Sequence, residues 1–153
     1  MTAAPELRVP EDPIAEAALI GCCIASHRGY LLASGRVAEG DFYNPKHQRL
    51  FRAAAGMSDL DGTDIDTRDQ RIKQAAQTAN VDSHTVGAIL EAQCVQWDTN
   101  GHLARRVKRA AEARRLMAAA AETYNRLAAG EPAEVVLGDA TPAIRRLLTG
   151  QPA

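Results

Sequence analysis

Residues 100–130, NGHLARRVKRAAEARRLMAAAAETYNRLAAG, hold neither proline nor glycine between Gly101 and Gly130. Asn100 is suited to capping a helix start and Gly130 to ending one, so the stretch predicts a single helix of about 28 residues. At 1.5 Å per residue that helix is roughly 40 Å long, more than one small domain can cover, and part of it must find another partner. The following segment, EPAEVVLGDATPAIRRLLTG, carries Val135, Val136, Leu137, Ile144, Leu147 and Leu148. It predicts a second helix folding back on the first across Ala129 to Pro132, an αα-hairpin. Pro142 is expected to break or kink it, because proline lacks the helix N–H and crowds the preceding turn.

Upstream, the pattern stays helical but comes in shorter pieces. The first eleven residues contain Pro5 and Pro10 without periodicity and read as a loose arm. Asp12 can cap and Pro13 suits a first helical position, which predicts a helix from Pro13 to about Ser26 over DPIAEAALIGCCIAS. Its apolar residues run nearly all round, so it belongs at the centre of the core. GYLLASGRVAEG predicts a short helix between glycines. Asn44 and Pro45 then mark a further start, followed by His47, Leu50, Phe51, Ala54 and Met57 at steps of three and four. Asp41, Phe42 and Tyr43 precede that helix as an extended piece whose two rings are expected to reach the core, like a hydrophobic staple across the cap. His47 has no nucleophile or carboxylate partner visible in the sequence and is expected to pack rather than act as a general base.

The acidic run SDLDGTDIDTRDQ, Ser58 to Gln70, is not a calcium loop, because Asp64 and Gln70 stand where the sixth-position Gly and twelfth-position Glu are needed. It reads as a solvated loop in which Asp66 or Thr67 caps a helix running to about Ala79, with Ile72, Ala75 and Ala76 on one face. DSHTVGAILEAQ predicts another short helix, and CVQWDTNG a connection. The fold class is therefore all-α, a compact multi-helix domain followed by a long αα-hairpin. The expected divisions are a flexible arm over 1–11, a globular helical subdomain over 12–99, the hairpin over 100–149 and a tail over 150–153.

Chemistry has little to build on. A formal net charge of -1 removes any global electrostatic reason to bind nucleic acid. Three cysteines, two of them adjacent at Cys22 and Cys23, make no disulfide framework and are expected to be small apolar filler in a reducing compartment. Cys23 and His27, four apart, are expected to share a helix face and to pack. Without a CxxC and with four scattered histidines, no metal site is expected. No secretory signal or apolar run of about 18 residues is present, which places the chain in the cytoplasm and off the membrane. No triad-like grouping appears, and no catalytic residue or cofactor is assigned.

Three pieces, AEAALIGCCIAS, DFYNPKHQRLF and the long helix carrying EARRLMAAA, together with the loop ending in DIDT, resemble the N-terminal domain of the DnaB-type replicative helicases. The resemblance runs from about Pro13 to Leu148 and is most specific between Asp41 and Phe51. It implies an all-helical collar module that joins a second copy through a helical hairpin and docks primase and other replication proteins. Ala15, Glu16, Leu19, Ile20 and Gly21 then correspond to the family's first-helix signature. Asp41, Phe42, Tyr43, Pro45, His47, Leu50 and Phe51 correspond to its third-helix entry, all as structural positions. Arg114 or Arg115 would take the place of an arginine in its long helix. The departure is the motor: Lys46, Lys73 and Lys108 follow Pro, Ile and Val, so no G-x-x-x-x-G-K-[ST] loop exists to cradle a triphosphate. A free-standing factor and an excised helicase domain both fit that departure.

The function expected is non-enzymatic: a protein-interaction module of DNA replication that forms a homodimer and docks a helicase or primase. Leu103, Val107, Met117, Tyr124, Leu147 and Leu148 are the candidate interface residues, divided between the domain core and the contact. The alternative is a small helical DNA-binding protein using the basic helix 103–116. There Arg105, Arg106, Lys108, Arg109, Arg114 and Arg115 place six charges in eleven residues. Against it, those charges are spread around the helix and no aromatic residue interleaves with them to stack bases.

Overall fold

The computed structural model of the chain describes residues 8–57, 65–92, 98 and 100–149, without the side chains of 65–67, 141 and 143–149. Among these residues there are seven α-helices and no strand: α1 Pro13–Ala25, α2 His27–Ser34, α3 Pro45–Ala55, α4 Ile65–Ala79, α5 Ser83–Ala92, α6 His102–Ala128 and α7 Ala133–Thr149. A 3-10 turn at Glu39–Asp41 leads into α3. The helices form two compact units, one from Glu11 to Arg109 and one made of Met1–Pro10 with Ala110–Ala153.

In the first unit α1 is the axis, packed against each of α2, α3, α4 and α5. The Asp12 carboxylate accepts from Ala15 N–H at 3.1 Å and Pro13 opens the first turn, as the sequence predicts. Residues Ala15 to Ala25 are then all buried. Leu19, Ile20 and Ile24 meet Phe42, Leu50, Ile72, Ile89 and Val107 in one core. At its far end the Arg71 Nε–H, from α4, donates to the Ile24 carbonyl at 2.7 Å and satisfies one of the acceptors a helix end leaves open.

Several local expectations change. α1 stops at Ala25 because Ser26 is extended and its hydroxyl caps α2 by accepting from Gly29 N–H at 3.0 Å. Cys23 and His27 therefore lie on different helices. Gly29 sits inside α2 rather than before it, and a Cβ there would lie 2.2 Å from the Cys22 carbonyl oxygen. That close approach of two backbones is what the glycine permits. α4 already begins at Ile65, so Asp66 and Thr67 fall within its first turn and not at its cap. Asp59, Asp61 and Asp64 lie outside the described residues, as does Trp97. Cys23 is free and buried, the filler expected, whereas Cys22 is disulfide-bonded, contrary to the expectation of reduced thiols.

The start of α6 is organised by Asp98 and not by Asn100. The Asp98 carboxylate accepts from Leu103 N–H and Ala104 N–H, both at 3.0 Å. Gly101, at φ +71, makes the turn between them. A backbone in that region suits glycine, and a Cβ would strike the Arg36 guanidinium.

In the second unit α6 ends where Gly130 adopts φ +89. Glu131 N–H donates to the Arg126 carbonyl and Gly130 N–H to the Leu127 carbonyl, each at 3.1 Å, which is the Schellman arrangement. Arg126 pairs with Glu131 at 2.8 Å and with Asp139 of α7 at 3.0 Å across the turn. α7 runs through Pro142 instead of ending there. No helix among the described residues is long and apolar enough to cross a membrane.

Candidate interaction surfaces

The segment Gly40–Phe51 is built around Glu16. This acid stands in the early part of α1, on a helix otherwise buried by apolar contact, and is itself 2% exposed. Its Oε2 accepts from Tyr43 N–H at 2.9 Å, and Oε1 accepts from Asn44 N–H at 3.4 Å. His47 Nδ1 lies 3.0 Å from Oε1, with the ring buried. A carboxylate can only accept, so the imidazole carries its proton on Nδ1 in this contact. Glu16 thus holds the entry to α3, where the helix dipole also favours a negative charge. Asn44 caps the helix from its own side chain, accepting from Lys46 N–H at 2.9 Å.

The rings divide. Phe42 and Phe51 are buried with centroids 5.1 Å apart, and Tyr30 of α2 joins them at 5.2 Å from Phe51. Tyr43, expected in the core, is exposed, and no staple forms. Gln48, at the position a staple would use, instead donates from Nε2 to the Phe42 carbonyl at 2.7 Å. The extended backbone alternates its side chains, so fixing Phe42 inward turns Tyr43 out. Asp41 is fully buried. It accepts from Ala38 N–H at 2.9 Å and pairs with Lys108 of α6 at 3.0 Å. Lys46 pairs with Asp82 at 2.7 Å, and with the Thr85 hydroxyl it holds the Asp82 carboxyl well below the usual range.

Of the signature positions, Glu16, Gly21, Asp41, Phe42, His47 and Phe51 are buried, whereas Tyr43 and Pro45 are exposed. Gly21 is not sterically required, since a Cβ there would meet Ile89 Cγ2 at an ordinary 3.5 Å. The partner of His47 is the feature the sequence reading missed. Its signal was a lone acid among apolar neighbours on a helix buried all round, because a fully buried carboxylate needs donors.

Two of the basic residues of α6 are drawn into the fold of the first unit. Arg106 grips Asp12 through Nε at 2.8 Å and Nη2 at 3.0 Å, tying α6 to the cap of α1. Lys108 holds Asp41. In the second unit Arg114 donates to the Pro10 carbonyl at 3.0 Å. Arg105, Arg109 and Arg115 are exposed. The six charges do not form one stripe.

The candidate interface residues separate along α6. Leu103 packs against the core of the first unit and Val107 is inside it. Met117 and Tyr124 are exposed, Tyr124 by 72%. Leu147 and Leu148 lie on α7, with side chains outside the described set. Leu116 and Leu127 are exposed as well. At about 100° per residue, Leu116, Leu127, Tyr124 and Met117 fall within an arc of roughly 100°, so they form one uncovered apolar stripe. Among the described residues no group of three His, Cys, Asp or Glu side chains is placed to hold a metal ion.

A core of helices around α1 and a second unit of helices beyond Ala110 define the class: an all-α protein among the described residues. The chain belongs to the DnaB-like helicase N-terminal domain family, whose model matches residues 8–109. Among solved structures it is similar to the N-terminal domain of DnaB helicase from Mycobacterium tuberculosis, at 20% identity and a TM-score of 0.66, covering 90% of this chain and 99% of that one. That likeness shows the all-α fold. A search of curated proteins gives no match. The 153 residues carry no phosphate-binding loop and hence no motor.

Proposed function

We propose that the protein is a non-enzymatic interaction module of DNA replication, working in the cytoplasm, that pairs with a second copy through its hairpin and docks a helicase or primase. The observation that carries the self-association is the uncovered stripe of Leu116, Met117, Tyr124 and Leu127 on α6. It spans about 16 Å of helix, and an apolar face left open to water is a liability unless a partner covers it. A second copy offers the same face. In an isologous contact each residue near the two-fold axis meets its own equivalent region, so one introduced charge is felt twice.

Docking of a helicase or primase is supported by family membership alone, not by a site on this surface. The DNA-binding alternative is weakened because Arg106 and Lys108 are engaged by Asp12 and Asp41. Multi-angle light scattering over a concentration series tests the proposal. The wild-type chain should show twice its 16.4 kDa mass, and Leu127→Asp or Tyr124→Asp should return it to the monomer with an unchanged helical spectrum. A wild-type chain that stays monomeric into the high micromolar range refutes the hairpin dimer.

A further inference from the structure

Cys22 is disulfide-bonded and Cys23 is free. The chain has one further cysteine, Cys94, which lies outside the described residues. Within one copy, a bond from Cys22 therefore has Cys94 as its remaining partner. The described residues on either side of Cys94 agree. Before it, Ile89 of α5 lies against α1, since a Cβ on Gly21 would meet Ile89 Cγ2 at 3.5 Å and the Ile89 carbonyl oxygen at 4.0 Å. After it, the Asp98 carboxylate is close enough to Cys23 to help push that thiol up. Ile89 and Asp98 are thus both set against the one turn of α1 that carries Cys22, and Cys94 stands between them in sequence. At roughly 3.3 to 3.6 Å of reach per residue, the stretch from either anchor is ample to bring Cys94 within the Cα separation of roughly 4.4 to 6.8 Å that a disulfide requires.

The same stretch starts the long helix. The Asp98 carboxylate accepts from Leu103 N–H and Ala104 N–H at 3.0 Å, and its carbonyl accepts from Arg36 Nη1 at 3.2 Å. A bond at Cys94 anchors the chain just ahead of that cap. The loop it closes, residues 22–94, holds α2, α3, α4 and α5. A cross-link over so long a loop takes entropy from the unfolded chain. Cys22 is buried at 2% exposure, so its sulfur is shielded from attack while the fold is closed. Cys23, next to it, does not compete. A thiol attacks a disulfide as the thiolate, and burial first and Asp98 second suppress that form of Cys23. The bond is therefore protected from shuffling to its neighbour and answers to an external reductant.

We infer that Cys22 and Cys94 form a redox-sensitive brace that holds the α5–α6 connection, and with it the Asp98 cap of α6, against α1. A dithiol opens it. One thiolate attacks a sulfur of the bond to give a mixed disulfide, and the second thiol then closes the reductant's own disulfide. Cys22 and Cys94 are released as two thiols, having taken up two electrons and two protons. A small disulfide such as oxidised glutathione closes the brace by the reverse exchange, so its state follows the surrounding thiol pool.

The test uses the full chain purified without reductant. Alkylation with iodoacetamide in denaturant, then trypsin and mass spectrometry, should find peptide 9–28 linked to peptide 74–105 with a single alkylated thiol. Cys23→Ser should keep the link and lose the alkylation, and Cys94→Ser should lose the link. Dithiothreitol should lower the melting temperature of the wild type by at least about 8 °C. It should also shift the emission of Trp97, the sole tryptophan, which stands between Cys94 and Asp98. Cys94→Ser should match the reduced wild type and ignore the reductant. The reduced wild type carries no substitution, so the comparison stands if the variant fails to fold. Three alkylated thiols in the unreduced chain, or a link between two copies that runs at twice the mass on a non-reducing gel, overturns the inference. So does a linked chain whose melting temperature and Trp97 emission ignore the reductant.

Discussion

Removing the Glu16 carboxylate should unfold the corner that the family signature builds. In Glu16→Ala, His47 Nδ1 loses a partner at 3.0 Å and Tyr43 N–H one at 2.9 Å, while the longer contact from Asn44 is weak from the start. The imidazole is buried, and an orphaned buried donor costs about 1 to 3 kcal/mol. Tyr43 N–H is only partly buried and recovers some hydration, leaving roughly 1 kcal/mol. A cavity where the side chain stood adds to this. A total of about 3 to 4 kcal/mol agrees with the usual cost of breaking a buried pair from one side, and is a large share of the roughly 5 to 15 kcal/mol that holds a domain together. Urea denaturation followed by far-UV circular dichroism reads it as a lower midpoint at unchanged slope. A cycle with His47→Ala should show coupling of at least about 1 kcal/mol between the two sites. A loss below about 1 kcal/mol, with the two substitutions additive, would show that Glu16 is not what holds the entry to α3.

Two glycines should respond in opposite ways to alanine in thermal unfolding. Gly29→Ala places a Cβ 2.2 Å from the Cys22 carbonyl oxygen and should cost at least about 1 to 3 kcal/mol, since backbone must move. Gly21→Ala meets only Ile89 at 3.5 Å and should gain about 0.5 to 1 kcal/mol from helix propensity; equal melting temperatures for the two variants would refute the packing described here. Burial pushes the Cys23 thiol up, and the Asp98 carboxylate adds to the same direction. The thiolate is therefore suppressed even at mildly alkaline pH, and iodoacetamide should leave Cys23 unmodified until denaturant is added, as peptide mass spectrometry would show.

α1 and α3 were legible because their starts carry local signals. Asp12-Pro13 and Asn44-Pro45 form their caps with side-chain bonds inside three residues, distances that sequence spacing already contains. What stayed hidden is long-range pairing. Asp12 with Arg106, Asp41 with Lys108 and Glu16 with His47 join residues 94, 67 and 31 positions apart. Nothing in periodicity chooses which acid meets which base. The basic helix consequently looked like a candidate nucleic-acid surface, when two of its charges are internal ties. Tyr43 was misplaced for a related reason: composition marks both rings as core material, but only the pleat of an extended segment decides which one faces in.

The family match ends at Arg109, where the first compact unit also ends, although the likeness in fold extends over 90% of the chain. The side chains of α6 change character at that boundary. Before that point Ala104 and Val107 are buried and Arg106 and Lys108 hold partners, so most substitutions there break a specific contact. Beyond it Leu116, Met117, Tyr124 and Leu127 are exposed, and within one copy a replacement that keeps the helix costs little. Any constraint on those positions must come from whatever covers them. If the cover is a second copy, each face meets its own equivalent and their mutual fit sets the pairing. The test is a mixed one: co-expressing this chain with another domain of the same fold but a different α6 stripe should give two homodimers and no heterodimer. Free mixing of subunits would mean that the stripe does not set pairing, and that its apolar residues serve some other contact.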